Sequence, residues 1–538
     1  MTGVPIFEPA EEVKVTLPRR AGRARRQSKG TLWAVAGVVV VGVTLALAPL
    51  GSSASPKQSN KVLTVALSHD PSSLDPMVDS SGETQNILHN IFDSLVIAND
   101  KLQLTGDLAT SWKFVPPSSW DFTLRQGVKF QNGMPVTAKD VAFSFNRILD
   151  PANNSAMLSF ITPISSAKVI NSKTVRLATT TPSPIVPELT KEVMIVPQKV
   201  VQAVGESAFG QHPIGSGPYE VVQHVPNDHT TLKAFNGYWA GPAPIKNIVL
   251  RPIPTDSTRV AALESGQVNI ISNFGPSFVL GLRRTSGIKV FDESQSRTAE
   301  IILDTNPADG FKPFQDVRVR KAVNEAIDYR ALDSQVMAGL AARNCQPVTK
   351  IIFGWNRNFH CPQYNPTDAK ALLAAAGYPN GFDVNFGGTS GDEPGDLETE
   401  EAIVGMLAKV GIRVHLQVEE FGTWLNDYHH RKWPMVFHTN GTTVLDADPD
   451  IFQLFYASTG RGYYSSPQMD KMIAQEEKQF NPVKRLPLLQ GIIKFAALTN
   501  YVWVSLYNEP DLWAMQSSLH FTPRPDEWTV MNRASWSS

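Results

Sequence analysis

Residues 108–147 constrain this chain more than any other stretch. From Trp120 to Arg125 the pattern alternates: Trp120, Phe122 and Leu124 share one face, and Asp121, Thr123 and Arg125 share the other. A period of two predicts a half-buried strand. A second short strand is predicted at 128–130, followed by Asn132-Gly133, a pair that tolerates positive φ in a turn. Thr137-Ala138-Lys139-Asp140 then has the form of a capping box. The helix it opens should bury Val141, Phe145 and Ile148, and Phe143 in part. This strand–turn–strand–helix unit contains no catalytic arrangement of residues.

Bulk properties set the frame around that unit. A chain of 538 residues, 42% hydrophobic, can build two or more lobes, each with its own core. A net charge of −1 gives no field for nucleic acid. The charge is unevenly placed, with seven Lys/Arg against three acids in residues 1–30. Residues 32–50 are apolar apart from Thr44. As a helix they would reach about 28 Å, against about 30 Å for a bilayer core. The basic flank orients the N-terminus inside and the rest of the chain outside. Two readings stand: a signal peptide cut after Ser52-Ser53-Ala54, or an uncleaved anchor. Residues 51–61 read as a Ser-rich linker.

The order of residues in the opening unit resembles the signature of family 5 extracellular solute-binding proteins, the peptide/nickel-type subunits of ABC importers. The resemblance is carried by Leu108-Ala109-Thr110-Ser111-Trp112, by Leu124-Arg125-Gln126-Gly127-Val128-Lys129-Phe130 and by Thr137-Ala138-Lys139-Asp140-Val141. It extends through Ser73-Leu74-Asp75-Pro76, Gly215-Ser216-Gly217-Pro218-Tyr219, Ala326-Ile327-Asp328 and Ala376-Gly377-Tyr378-Pro379. It covers about residues 62–535.

The resemblance implies an α/β, periplasmic-binding-protein-like fold of type II in its large three-lobed form. Two hinged lobes would enclose a ligand cleft, with an N-terminal membrane helix ahead of them. Lobe I is expected over 62–101, 212–310 and 506–538, an extra lobe II over 102–211, and lobe III over 311–505. It further implies an oligopeptide or small polar solute as ligand, an ABC permease as partner, a monomeric state, and a place outside the cytoplasm. Two alternatives remain on the same fold: binding of a non-peptide solute (a nickel complex or a sugar) and a membrane-anchored sensor. No enzyme motif such as Gly-x-Ser-x-Gly or His-Glu-x-x-His is present, so no catalytic residue and no cofactor is expected.

Cys345 and Cys361 are the only cysteines. In an exported chain an even number points to a disulfide, with two buried free thiols as the alternative. No Cys-x-x-Cys pair supports a metal site. His429-His430 reads as a solvated face, because adjacent side chains diverge on either regular element.

In peptide-binding relatives an aspartate receives the ligand's amino group. The matching stretch here contains Asn440, Gly441, Thr442, Leu445, Asp446, Asp448 and Asp450. Asp448-Pro449 matches the end of that motif, the aspartate's place falls on Leu445, and Asp446 stands one position later. Asp446, Asp448 and Asp450 can instead cap a helix at 451–456. Ser73 lies in a loop that forms the cleft rim in relatives. Trp355, Trp424 and Tyr463 are candidate aromatic walls of the cleft, or packing residues.

Overall fold

The structure is a computed structural model describing residues 61–390, 393–441, 444–455, 462–526, 528–529 and 531–537, with backbone alone at 293–295, 450 and 452–453. The basic leader, the apolar segment 32–50 and the linker up to residue 60 lie outside the described residues. Among those described, no helix is long and apolar enough to cross a membrane.

The near-continuous apolar run after Lys61 forms the strand Leu63–Leu67. It lies between two parallel partners, Asn247–Pro252 and Ile270–Ser272. Both its edges are hydrogen-bonded and its faces are covered, which is the environment such a run requires. It belongs to an eleven-stranded mixed sheet. At the opposite end of that sheet Phe382–Thr389 runs parallel to Ile412–Glu419 over its whole length and also pairs in parallel with Met435–Asn440.

Two long antiparallel strands join these halves, Ile288–Leu303 with 16 residues and Trp503–Gln516 with 14. Their ladder runs from Ile288↔Gln516 to Ser294↔Pro510, breaks, and resumes from Thr298↔Asn508 to Ile302↔Trp503. Pro510 has no N–H to give to the ladder, and the break falls beside it. The outer flanks change partner across the break. Trp513–Met515 pairs with Ile270–Ser272, whereas Thr298–Leu303 pairs with Met435–Asn440. The change of partners therefore falls at 294–298 on one strand and at 508–510 on the other.

The opening unit lies in a separate four-stranded antiparallel sheet, in the order Ala109–Val115, Ser119–Leu124, Thr174–Thr179, Ile164–Asn171. Phe122 and Leu124 are buried as their alternation demands. Asp121 on the other face is buried too, because Arg176 from the neighbouring strand grips both its oxygens at 2.6 and 2.9 Å. No strand forms at 128–130. A single bridge joins Lys129 to Pro135, held by the Phe130 N–H on the Met134 carbonyl at 2.8 Å and the Val136 N–H on the Val128 carbonyl at 3.0 Å. The helix Ala138–Leu149 starts as expected: Asp140 Oδ2 accepts the Thr137 N–H at 2.9 Å, and Val141, Phe145 and Ile148 are buried.

Elsewhere local signals shift. The helix that opens at Gly82 stops at Leu88. The backbone beyond it is claimed by a distant segment: Gly217 donates to the Ile91 carbonyl at 2.9 Å and Tyr219 to that of Asn90 at 2.9 Å. The glycines permit this approach, since a Cβ on Gly215 would stand 1.9 Å from the Ile91 oxygen. The helix Pro366–Ala375 is capped by Asn365, which accepts the Asp368 N–H at 3.1 Å. In the helix Pro482–Lys494 Pro482 takes the first position and Pro487 lies inside. Cys345 and Cys361 form a disulfide.

Candidate functional site

Where the two long strands change partners, one face of the sheet carries a row of polar side chains. Thr298 stands directly opposite Asn440 on one neighbour and Asn508 on the other. Directly opposed residues in antiparallel strands point to the same face. Two residues on, Glu300 stands opposite His438 and Ser505, and Ile302 opposite Val436 and Trp503. Ile302, Val436 and Trp503 share a buried cluster with Trp424, Tyr428 and Tyr463. The alternate residues Ala299, Ile301, Leu303, Phe437, Val504 and Leu506 face a different core.

The polar row is under-satisfied. Thr298 Oγ1, Asn440 Nδ2, Asn508 Oδ1 and Ser505 Oγ are buried without a hydrogen-bond partner, as are the indole nitrogens of Trp424 and Trp503. Thr298 is fully buried and Asn508 is 6% exposed. Glu300 is engaged, bonded to His438 Nδ1 at 2.8 Å. That imidazole lies among rings, with centroids 5.1 Å from Tyr428, 6.1 Å from Trp424 and 6.2 Å from Trp503. Beyond them Tyr428, Phe455, Tyr463 and Trp503 line a small hollow. The face thus grades from neutral hydrogen-bonding groups to an aromatic wall, which is how solute sites are commonly lined.

The opposite face at the same crossing is ionic. Arg297, in the segment that breaks the ladder, pairs with Glu393 and lies 3.8 Å from Glu509. Glu393 also accepts from Thr439 Oγ1 at 3.4 Å. Gly441 makes room for the guanidinium, since a Cβ there would stand 3.0 Å from Arg297 Nε.

The structure places the residues named from sequence as follows. Asn440, Trp424 and Tyr463 reach the one face, and Gly441 borders Arg297. Trp424 is 4% exposed and stacks on Tyr428 at 5.3 Å, so it is a packed wall. Trp355 packs at the edge of the same cluster and its carbonyl accepts from Gln490 at 3.0 Å. Ser73 is engaged elsewhere, its hydroxyl accepting the Asp75 N–H at 3.1 Å and facing Gly210. Thr442 lies outside the described residues.

Asp446 has a structural occupation. Both its oxygens accept from Arg485, and Oδ1 also accepts the Asp448 N–H at 3.0 Å at the start of the helix Asp448–Phe455. Of the three aspartates offered as caps, Asp446 accepts the first N–H of the helix, and Asp448 lies within it. Burial raises Asp448 to about 6 and Glu476, which also pairs with Arg485, to about 10.

Sequence reasoning missed Thr298, Glu300, His438, Ser505 and Asn508. One signal was available: Glu300 is a lone acid inside the apolar run 299–303. Among the described residues no group of three or more His, Cys, Asp or Glu is placed to hold a metal ion. His429 and His430 are exposed, as read.

A family model described as bacterial extracellular solute-binding proteins, family 5 Middle, matches residues 103–462. The glutathione-binding protein GsiB of Escherichia coli strain K12 is 25% identical over 474 residues, covering 85% of this chain and 90% of that protein. Among solved structures, the periplasmic binding protein DppA from Helicobacter pylori, in complex with the peptide STSA, superposes with a TM-score of 0.79 at 24% identity, covering 89% of this chain and 98% of its own. NikZ from Campylobacter jejuni, in complex with Ni(L-His), gives a TM-score of 0.76 at 20% identity, over 89% and 100%. These likenesses establish the periplasmic-binding-protein-like α/β fold.

Proposed function

The chain belongs to family 5 of the bacterial extracellular solute-binding proteins, and we propose that it is the substrate-binding subunit of an ABC importer that captures an oligopeptide or a related small polar solute by lobe closure. The observation that carries this reading is the pair of long strands shared by both halves of the sheet, interrupted where they change partners. A two-strand connection can flex at its ladder break, and it carries under-satisfied polar groups at that same place. Relatives are named for glutathione, a peptide and a nickel–histidine complex, which fits a cleft whose lining differs more than its frame. The chemistry is capture and release, without bond making.

In this reading lobe I comprises 62–101, 212–310 and 506–538, lobe II 102–211, and lobe III 311–505, apart from the strand ends exchanged at the crossing. The protein acts as a monomer outside the cytoplasm, exported through or anchored by residues 32–50, and delivers its ligand to a membrane permease. Thermal unfolding with dipeptide and tripeptide pools, nickel–histidine and small sugars tests it. A ligand at about 100 times its Kd stabilises by about 2.7 kcal/mol, so at least one set should raise Tm. No shift with any set would count against capture of these solutes.

One aromatic contact supports a closed arrangement. Phe480, between two lobe III helices, packs 4.4 Å from Phe114 and 6.3 Å from Trp120 on the four-stranded sheet. An aromatic pair of this kind contributes roughly 0.5–1.5 kcal/mol beyond its buried area. Phe480→Ala should therefore weaken ligand affinity by roughly two- to tenfold and enlarge the radius of gyration of the ligand-bound protein in X-ray scattering. Unchanged affinity and size would show that this contact takes no part in closure.

A further inference from the structure

We propose, resting on the solute-binding reading, that the row Asn440–Thr298–Asn508 is the head-group site, and that the group it takes is uncharged and carries both a hydrogen-bond donor and an acceptor, as an amide or a pair of hydroxyls does. Asn440 and Asn508 flank Thr298 on successive strands. Their backbones are therefore two strand spacings apart, about 10 Å, with the Thr298 strand between them, so the three groups form one row along the face. The free atoms differ in kind: Asn440 offers an N–H donor, Asn508 a carbonyl acceptor, and Thr298 a hydroxyl that serves as either. An ammonium gives Asn440 nothing to donate to, and a carboxylate gives Asn508 nothing to accept.

Charged groups nearby are already engaged. Glu300 is bonded to His438, Asp446 is held by Arg485, and the Arg297–Glu393 pair belongs to the opposite face. Buried polar atoms left without partners cost stability, and three in register across neighbouring strands mark a place where the protein holds that cost for a guest. That cost supplies a readout which a packing role would not produce.

The test is titration calorimetry on the purified protein with three probe sets: N-acetyl dipeptide amides, disaccharides, and the same dipeptides with free termini. One of the two neutral sets should bind, which also separates an amide ligand from a hydroxylated one. Thr298→Val and Asn508→Leu should each weaken that binding by about tenfold or more. Thr298→Val should at the same time raise the ligand-free Tm, by about 1 °C, because it removes an unpaired buried hydroxyl. Binding of free-terminus dipeptides in preference to their capped forms would overturn the head-group inference and leave the solute-binding function standing. So would neutral binding that both variants leave unchanged, or a lowered ligand-free Tm in Thr298→Val. No binding by any set would count against both.

Discussion

Replacing Arg485 with methionine should destabilise the protein by about 3–5 kcal/mol at neutral pH, the cost of stranding a buried partner charge. Arg485 is 4% exposed. Its guanidinium donates to both oxygens of Asp446, one at 2.8 Å, and pairs with Glu476, which is fully buried. Asp448 stands beside them and shares the site with Glu476. One cation thus serves three buried carboxyl groups. Removing it leaves acids that can relieve the charge only by taking up protons.

The pH dependence of that loss has a definite sign. Burial raises Asp448 to about 6 and Glu476 to about 10, above their ordinary values. A raised acid binds protons more tightly in the folded state. Its contribution is therefore best below the unfolded value and is lost as pH rises through the folded one. Without Arg485 both values move further up, so the deficit of Arg485→Met should be larger at pH 8 than at pH 5. Urea unfolding at the two pH values measures this. The double variant Arg485→Met with Asp446→Leu should recover part of the loss, since removing both members of a buried pair costs less than removing one. A deficit independent of pH, with no recovery in the double variant, would mean that Arg485 matters through packing alone.

Glu400→Gln should act in the opposite direction. Glu400 is fully buried on the helix Asp396–Ala408. One oxygen accepts the Thr389 N–H at 2.8 Å and the other has no hydrogen-bond partner. The side chain lies so close to Gly388 that a Cβ there would stand 2.0 Å from the carboxyl. Burial lifts Glu400 to about 8, and Asp396 and Glu401 push in the same direction. The wild-type protein should thus lose stability between pH 5 and pH 9 as this group is forced to ionise. Glutamine keeps the acceptor for Thr389 and cannot ionise. The variant should match wild type near pH 5 and exceed it at pH 9 by on the order of 3 kcal/mol. Parallel stability curves across that range would place the ionisation elsewhere.

The parts of the fold that were legible in advance have local causes. The apolar run at 63–67 needs cover on both faces, and it found a central position in the sheet. Thr137 and Asp140 form a reciprocal cap within four residues, so the helix start was readable. The misplaced elements have distant causes. The helix at Gly82 ends at Leu88 because Gly217 and Tyr219 take carbonyls that an extended helix would need. At 128–130 pairing stops at one bridge because the chain turns back at once, the Gly133 N–H closing onto the Phe130 carbonyl. At the site, Asn440 was named from a family likeness and Trp424 as a candidate aromatic wall. Thr298 and Asn508 carried no signal, since an ordinary Thr and Asn become informative only when a register sets them side by side.

By itself the sequence determined the family, the α/β class and the opening strand–helix unit, all of which rest on residue order or on short-range geometry. Only the tertiary structure decided that Asp446 belongs to Arg485, that Glu300 meets His438, and that three neutral groups line up unpartnered at the crossing. Strand register and the meeting of helices bring together residues tens to hundreds of positions apart. Those contacts determine which polar groups are satisfied by the protein and which are left for a ligand.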